Sequence, residues 1–302
     1  MFTLIPHKTS INFVGARYIG FVISSILMLL GVIGVWRIAT GHAKMAIDFS
    51  GGTNVTVMLE KPVSTEELRA LLKPSFPDAD LQQVQGQPEY MIRIRKAEGD
   101  TTGTASQVGA LLAKGLPGNK LLESSSEEVG PAVSGQLRAK AFWAVLWSLV
   151  FITVYIAFRF DFRFSIGAFV ATIHDVLAVT GIMVLLGHDF SLLLVTALLT
   201  LAGYSLTDTV VVFDRIRENM RLHRSENFAS LVNTSINETL SRTINTSMTV
   251  LLVVLVLFLY GGEVVHDFSM ALLLGVVVGT YSSIFVASPL VVEWNLRSPQ
   301  RS

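Results

Sequence analysis

"GYSLTDTVVVFDRIREN", Gly203 to Asn219, changes character half-way: apolar and hydroxylated residues give way to Asp214, Arg215, Arg217 and Glu218. Its first half belongs to a longer run, Ser191 to Phe213, in which every side chain but Asp208 is apolar, small or hydroxylated. A helical run of that length crosses a hydrocarbon core about 30 Å thick at about 1.5 Å per residue. Arg215 marks the end of the span, which puts Asp208 roughly 10 Å inside the membrane. A carboxylate at that depth is the feature to be explained.

Five more apolar runs surround this one: Tyr18 to Ile38, Ala141 to Phe158, Phe164 to Leu186, Thr243 to Tyr260, and Phe268 to Val292. The 302 residues are 51% hydrophobic and 15% charged, against about 25% charged in soluble domains. The expected fold is a polytopic α-helical membrane protein with six transmembrane helices. The first run is too long for a signal-peptide core and lacks a clear small-x-small site, so it is a retained span. There is no cysteine, which excludes disulfides, zinc knuckles and thiol catalysis.

Lysine and arginine in the short loops set the orientation. Lys8 and Arg17, Arg159 and Arg163, Arg215, Arg217, Arg221 and Arg224, and Arg297 and Arg301 all fall on one side. The opposite loops, "GHDFS" and "YGGEVVHDF", have neither residue. Both termini are expected in the cytoplasm, with the long segment after the first span outside. The division is then a cytoplasmic N-terminus (1–17), spans at 18–38, 139–158, 164–186, 191–213, 242–260 and 268–292, an external domain (39–138), a cytoplasmic loop (214–241) and a tail (293–302).

The external segment reads as a separate domain. "TNVTVMLE" alternates like a half-buried strand, and Ser64 with Glu67 has the spacing of a capping box. "ADLQQVQ" and "EYMIRIRKA" read as strands joined by a turn at Gly86 to Pro88. "TASQVGALLAKGL" reads as a second helix and Leu121 to Glu127 as a last strand. The order βαββαβ is that of a ferredoxin-like α+β unit. It holds no nucleophile elbow, HExxH or phosphate loop, so no enzymatic activity is expected. In the cytoplasmic loop, Phe228, Leu231, Val232, Ile236 and Leu240 recur at helical spacing, which predicts a short amphipathic helix on the membrane surface. Trp36, Trp143, Trp147 and Trp294 sit where interfacial anchors belong, and Gly275 with Gly279 favours close helix packing.

The ionisable groups inside the spans carry the functional expectation. Arg242 enters the fifth span from the side where Arg215 leaves the fourth, so Asp208 and Arg242 can reach a common depth. Ser205 and Thr209 flank Asp208 on its own helix, and Asn245, Thr246 and Thr249 continue a polar stripe from Arg242. His174 and Asp175 lie near the middle of the third span, where a carboxylate costs about 2.5–3.5 kcal/mol on insertion scales. His174 reads equally well as packing or as proton carrier. A static Asp208–Arg242 ion pair is the plain alternative, but buried pairs stabilise weakly, and intramembrane ionisable groups usually mark ion paths. No metal site is expected.

The motifs "DFSGGT" (Asp48 to Thr53), "VGP" before the second span, "IHDV" (Ile173 to Val176), "GYSLTDTVVVFDRIREN", "LSRTINTS" (Leu240 to Ser247) and "GTYSSIFVASP" (Gly279 to Pro289) stand in this order. In them the chain resembles the SecF members of the SecD/SecF family of protein-export membrane proteins, in the RND superfamily, over nearly its whole length. The resemblance implies an RND-like half-unit of six spans that joins SecD in a pseudo-symmetric assembly. It implies use of the proton-motive force, without a bound cofactor, for late steps of protein translocation across the bacterial inner membrane. The implied partners are SecD, the SecYEG translocon with SecA, YajC, the unfolded translocating chain and membrane lipid, with no nucleic acid. It also implies that Asp208 and Arg242 belong to a proton pathway and that Asp175 matches the span-three position. Thr207 stands where the family commonly has asparagine. A half-size exporter of small apolar molecules or lipids, and a non-transporting membrane scaffold, are the alternatives.

Overall fold

The computed structural model describes residues 9–77, 79–83, 87–94 and 103–297. Lys8, Arg301, the turn at Gly86 and parts of the two strands beside it (Val84, Gln85 and Arg95 to Ala97) lie outside the described residues. The chain divides into two compact units, one formed by Met45–Phe142 and the other by Met1–Lys44 with Trp143–Ser302.

The smaller unit begins with a single helical turn, α2 (Ile47–Ser50), after α1 (Arg17–Ala39) of the larger one. It continues as β1 (Gly52–Leu59), α3 (Thr65–Leu72), β2 (Asp80–Gln83), β3 (Glu89–Ile94), α4 (Thr104–Gly115) and β4 (Leu121–Val129), the expected βαββαβ order. All neighbours in the sheet are antiparallel and the strand order is β2-β3-β1-β4. Alternation decides what is covered: Val55, Val57 and Leu59 of β1 join Tyr90, Ile92 and Ile94 of β3 on one face. Leu68 and Leu72 of α3 and Val108 and Leu112 of α4 complete that core. Ser64 caps α3, its hydroxyl accepting from the Glu67 N–H at 3.2 Å. The Tyr90 hydroxyl is buried because Val63 satisfies it twice, the O–H donating to the Val63 carbonyl at 2.6 Å and accepting from its N–H at 2.7 Å. Edge strand β4, "LLESSSEEV", is exposed along nearly its whole length, and its charged residues keep the free edge from pairing with another chain.

The larger unit holds α1 together with α5 (Pro131–Arg159) from Trp143 onward, α6 (Phe162–Leu185), α7 (Leu192–Leu222), α8 (Phe228–Tyr260), α9 (Glu263–Ser282) and α10 (Ser288–Arg297). A π-helical turn, Ser283–Ala287, joins α9 to α10 in one run. Among the described residues six helical runs are long and apolar enough to cross a membrane, as the sequence predicts. Helices α6, α7 and α9 bury the most surface and form the centre, with α1, α5 and α8 around them. Glycines let α1 lie directly on α6. A Cβ at Gly31 would sit 2.6 Å from the Leu177 carbonyl oxygen, and one at Gly34 would sit 2.6 Å from Gly181 Cα.

Several helices run on beyond the apolar stretches that mark the expected spans. Helix α5 starts at Pro131 rather than at 139, with proline in the first-turn position where its missing N–H costs nothing. Within the expected cytoplasmic loop 214–241 only residues 223–227 are non-helical, because α7 runs on to Leu222 and α8 begins at Phe228. The amphipathic segment is therefore the first half of α8, not a separate helix on the membrane surface. Leu231, Val232, Ile236 and Leu240 are buried in a core with Phe13, Val14, Phe213 and Ile216. The segment before α1 seals this face. Asn237 accepts from the Ile11 N–H at 2.9 Å and donates to the Ile11 carbonyl at 2.8 Å. Asn233 accepts from the Val14 N–H at 3.1 Å. A strap held to the buried Asn237 and the half-buried Asn233 covers the apolar stripe.

These close approaches have a measurable consequence. Gly31→Val forces side-chain atoms into the Leu177 backbone and is expected to cost about 1–3 kcal/mol, as overpacking does. Gly203 of α7 has nothing within 4 Å of an added Cβ, so Gly203→Ala is expected to leave the unfolding midpoint in detergent unchanged or slightly raised. Thermal unfolding of both variants, followed by circular dichroism, checks the contrast.

Candidate functional site

Asp175, on α6, is fully buried. An ionised carboxylate in such a place needs donors on both oxygens, and three helices supply them. Its Oδ2 accepts from the hydroxyls of Ser205 on α7 and Ser282 on α9, the latter at 2.7 Å. Its Oδ1 lies 2.9 Å from His174 Nδ1, which donates to an ionised carboxylate in the tautomer that carries its proton there. The convergence depends on Gly279, since a Cβ there would lie 2.9 Å from Ser205 Cβ and drive α9 away from α7. Gly275, one turn earlier, faces Leu201 in the same way. Directly after Ser282 the helix widens into its π turn, and Ser288 donates to the Ser283 carbonyl at 2.8 Å. Next to His174, the Tyr281 hydroxyl donates to the Gly20 carbonyl at 2.6 Å and lies 3.1 Å from Ser24 of α1.

Asp208 of α7 is 5% exposed and far less completely bonded. The Ser247 hydroxyl of α8 lies 3.2 Å from its Oδ2, and Ser247 is also 2.7 Å from the Thr280 hydroxyl of α9. Tyr204, one turn before Asp208, buries its hydroxyl close to Ser247 and Asp208, outside regular hydrogen-bond geometry. The result is a short chain of hydroxyls running from Asp208 into the α8–α9 contact. Groups of this kind pass protons by rotating their O–H bonds.

The expected pairing of Asp208 with Arg242 is not made in this conformation. Arg242 is exposed, and among the described residues no ion pair joins it to a carboxylate. Its charge still reaches Asp208 through space. The stripe that begins at Arg242 is real but faces mostly outward: Asn245, Thr246 and Thr249 are all exposed, and of these Thr246 also reaches the Asp208 carboxylate. Helical periodicity gives the reason, since the inner face of α8 is carried by Thr243, Ser247 and Val254 instead. Thr246 caps backbone carbonyls of Arg242 and Thr243, and Thr249 that of Thr246. Thr209 is buried but donates only to the Ser205 carbonyl at 3.3 Å. Thr207 is exposed and donates to the Gly203 carbonyl.

Sequence reasoning thus found Asp175, His174, Ser205 and Asp208 in place, and missed Ser247, Thr280, Ser282 and Tyr204. The available signal was the density of hydroxyls in "RTINTS" and "GTYSS". That signal is ambiguous, because most membrane hydroxyls here bond the carbonyl a turn earlier, as Thr172 and Thr180 do. Among the described residues no cluster of three or more His, Asp or Glu is placed to hold a metal ion.

Residues 112–297 match the family model described as protein export membrane protein SecD/SecF, C-terminal. The chain belongs to the SecD/SecF family. It is 44% identical to the protein translocase subunit SecF of Thermodesulfovibrio yellowstonii, over 94% of this chain and 95% of that protein. It is also 42% identical to the protein translocase subunit SecDF of Thermus thermophilus, covering 95% of this chain but 39% of that longer protein. The crystal structure of the Thermus SecDF, described as a translocon-associated membrane protein, superposes with a TM-score of 0.84 at 38% identity. That match covers 97% of this chain and 40% of the other. A multi-pass membrane protein of the protein-translocase family is therefore established.

The two carboxylates separate by experiment. Ser282→Ala removes a donor from a fully buried carboxylate and is expected to cost about 1.5–3 kcal/mol of stability. Ser247→Ala removes one longer bond to a less saturated group and is expected to cost under about 1 kcal/mol. Unfolding of the two variants in the same detergent checks the order.

Proposed function

We propose that this chain is the SecF-type half of a proton-driven auxiliary to protein translocation. It works with SecD beside the SecYEG translocon, SecA and YajC, and helps the unfolded chain leave on the far side of the inner membrane. In this reading both termini lie in the cytoplasm, residues 39–138 lie outside, and the energy comes from the proton gradient with no bound cofactor. The observation that carries it is Asp208: a carboxylate at membrane depth, out of solvent, met by the Ser247 and Thr246 side chains and felt by an arginine that forms no ion pair among the described residues. Intramembrane acids so placed mark ion paths more often than they stabilise packing.

Protonation of Asp208 removes its charge and with it the pull on Arg242 and on the Ser247 O–H. Ser247 then turns to Thr280, and α8 is released from α7. One charge moved through the membrane field supplies about 2.3 kcal/mol per 100 mV. Reversing a two-state equilibrium from 1:99 to 99:1 needs about 5.5 kcal/mol, so one proton at ordinary potentials biases the change strongly without completing it. Asp175, saturated by three donors, serves in this reading as the fixed point against which α7 and α9 move, with His174 as its orienting partner. Support for a SecD partner comes from the outward stripe of Arg242, Asn245, Thr246 and Thr249, beside Thr196, Thr200, Gly203 and Thr207 exposed along α7. Polar and small side chains at membrane depth are what helix–helix contacts in lipid use. The fused SecDF relative, whose remaining length this chain does not cover, supports the same partner.

The test is export of a secretory precursor into membrane vesicles holding this chain with SecD, with and without an imposed proton gradient. Asp208→Asn is expected to abolish the stimulation by the gradient while leaving gradient-independent export intact, and Ser247→Ala to reduce it. A sodium gradient alone is expected to give no stimulation. Equal stimulation of wild type and Asp208→Asn would refute the mechanism and leave the scaffold reading standing.

A further inference from the structure

Where α7 passes beyond its membrane run, Arg159, Asp214, Arg217, Glu218, Arg221 and Leu222 line an open groove of about 310 Å³. That is the lower end of the range of small-ligand clefts, about 300–1,000 Å³. Both of its acids are already engaged. Asp214 accepts from Arg159 Nη2 at 3.1 and 3.2 Å, and Glu218 accepts from Arg215 Nη1 at 2.7 Å. Arg215 is in turn held to Glu238 of α8 at 2.7 Å, away from the groove. Arg217 bonds only a backbone oxygen, that of Arg159 at 3.3 Å, and neither it nor Arg221 forms an ion pair among the described residues. Two arginines four residues apart thus share one face of α7 and offer a concave, positively charged lining with no carboxylate of their own.

Their direction matters as much as their charge. Side chains on a helix tilt toward its N-terminus, and the N-terminus of α7 lies on the opposite side of the membrane. Arg217 and Arg221 therefore lean back toward the bilayer, into the depth of the headgroups. Below Arg159 on the same face of α5, one and two turns deeper, stand Tyr155 and Phe151, 57% and 67% exposed. Leu222, 65% exposed, closes the outer end of the groove. A small soluble anion would use the arginines and leave the aromatic track unused. An amphiphile uses both.

We propose that this groove binds the headgroup phosphate of an anionic phospholipid, with its acyl chains lying along Phe151 and Tyr155. The guanidinium groups of Arg217 and Arg221 donate to the phosphate oxygens, and Arg159, fixed by Asp214, closes the third side. The site would tie the ends of α5 and α7 to the bilayer, on the face of α7 away from α8.

The full-length chain in detergent, titrated with phosphatidylglycerol or phosphatidylcholine and followed by native mass spectrometry, tests this. Phosphatidylglycerol is expected to bind preferentially. Arg221→Gln is expected to weaken it about fivefold, and Arg217→Gln/Arg221→Gln by about that factor twice over. Arg224→Gln removes the same charge outside the groove and is expected to stay within about twofold of wild type. Unchanged helix content and unfolding midpoint in each variant show that the fold is kept. Equal binding of the two lipids, or an equal effect of Arg224→Gln and Arg221→Gln, overturns the proposal. Displacement of the lipid by inorganic phosphate at matching concentration also overturns it, since that marks a soluble-anion site.

Discussion

A carboxylate with no access to water has to be met by donors, and around Asp175 those donors come from its own helix and from two others. This one requirement fixes the relative rotation of α6, α7 and α9. Ser205 and Ser282 must both reach Oδ2, so α7 and α9 have to approach closely, which only a glycine at position 279 permits. The apolar contacts around the site, Ala178, Leu198, Leu201 and Val278, then fall into register around a polar centre. Non-directional packing in a membrane interior has no such preference, because lipid tails are as apolar as the helices. The polar bonds supply the specificity.

The second carboxylate has the opposite surroundings. Asp208 is buried to nearly the same degree but is met by the Ser247 hydroxyl at 3.2 Å and by Thr246, with a cation nearby that forms no ion pair among the described residues. Asp175 and Asp208 thus differ in their surroundings, the first met by donors from three helices and the second more sparsely bonded. The link between them is α9, which carries Ser282 to Asp175 and Thr280 to the Ser247 bonded at Asp208.

Much of the fold was legible in the sequence because it rests on local rules. Span number follows from hydrophobic length, and the βαββαβ order follows from alternation, the Ser64 cap and Gly/Pro punctuation. Boundaries were not legible. Charged residues such as Arg215 and Glu218 look like a loop, yet α7 and α8 continue as helices past the membrane because their apolar stripes find each other and the Phe13–Val14 strap. A helix in water supported by tertiary contacts has the same charge pattern as a loop. The asparagines that secure the strap, Asn233 and Asn237, carry no sequence signal of their own.

For the site, the sequence by itself determined which residues were anomalous: Asp175, Asp208 and Arg242 are costly in a bilayer whatever the fold, because insertion cost depends on depth and charge alone. It also determined that Asp208 and Ser205 share a helix and that glycines 275 and 279 share a face. Only the tertiary structure decided the partners. Arg242 and Ser247 lie five residues apart on α8, and the rotation of that helix, set by packing over its whole length, sends the serine inward and the arginine out. Periodicity defines the faces of a helix but not which face meets which neighbour, since that is a property of the assembled bundle.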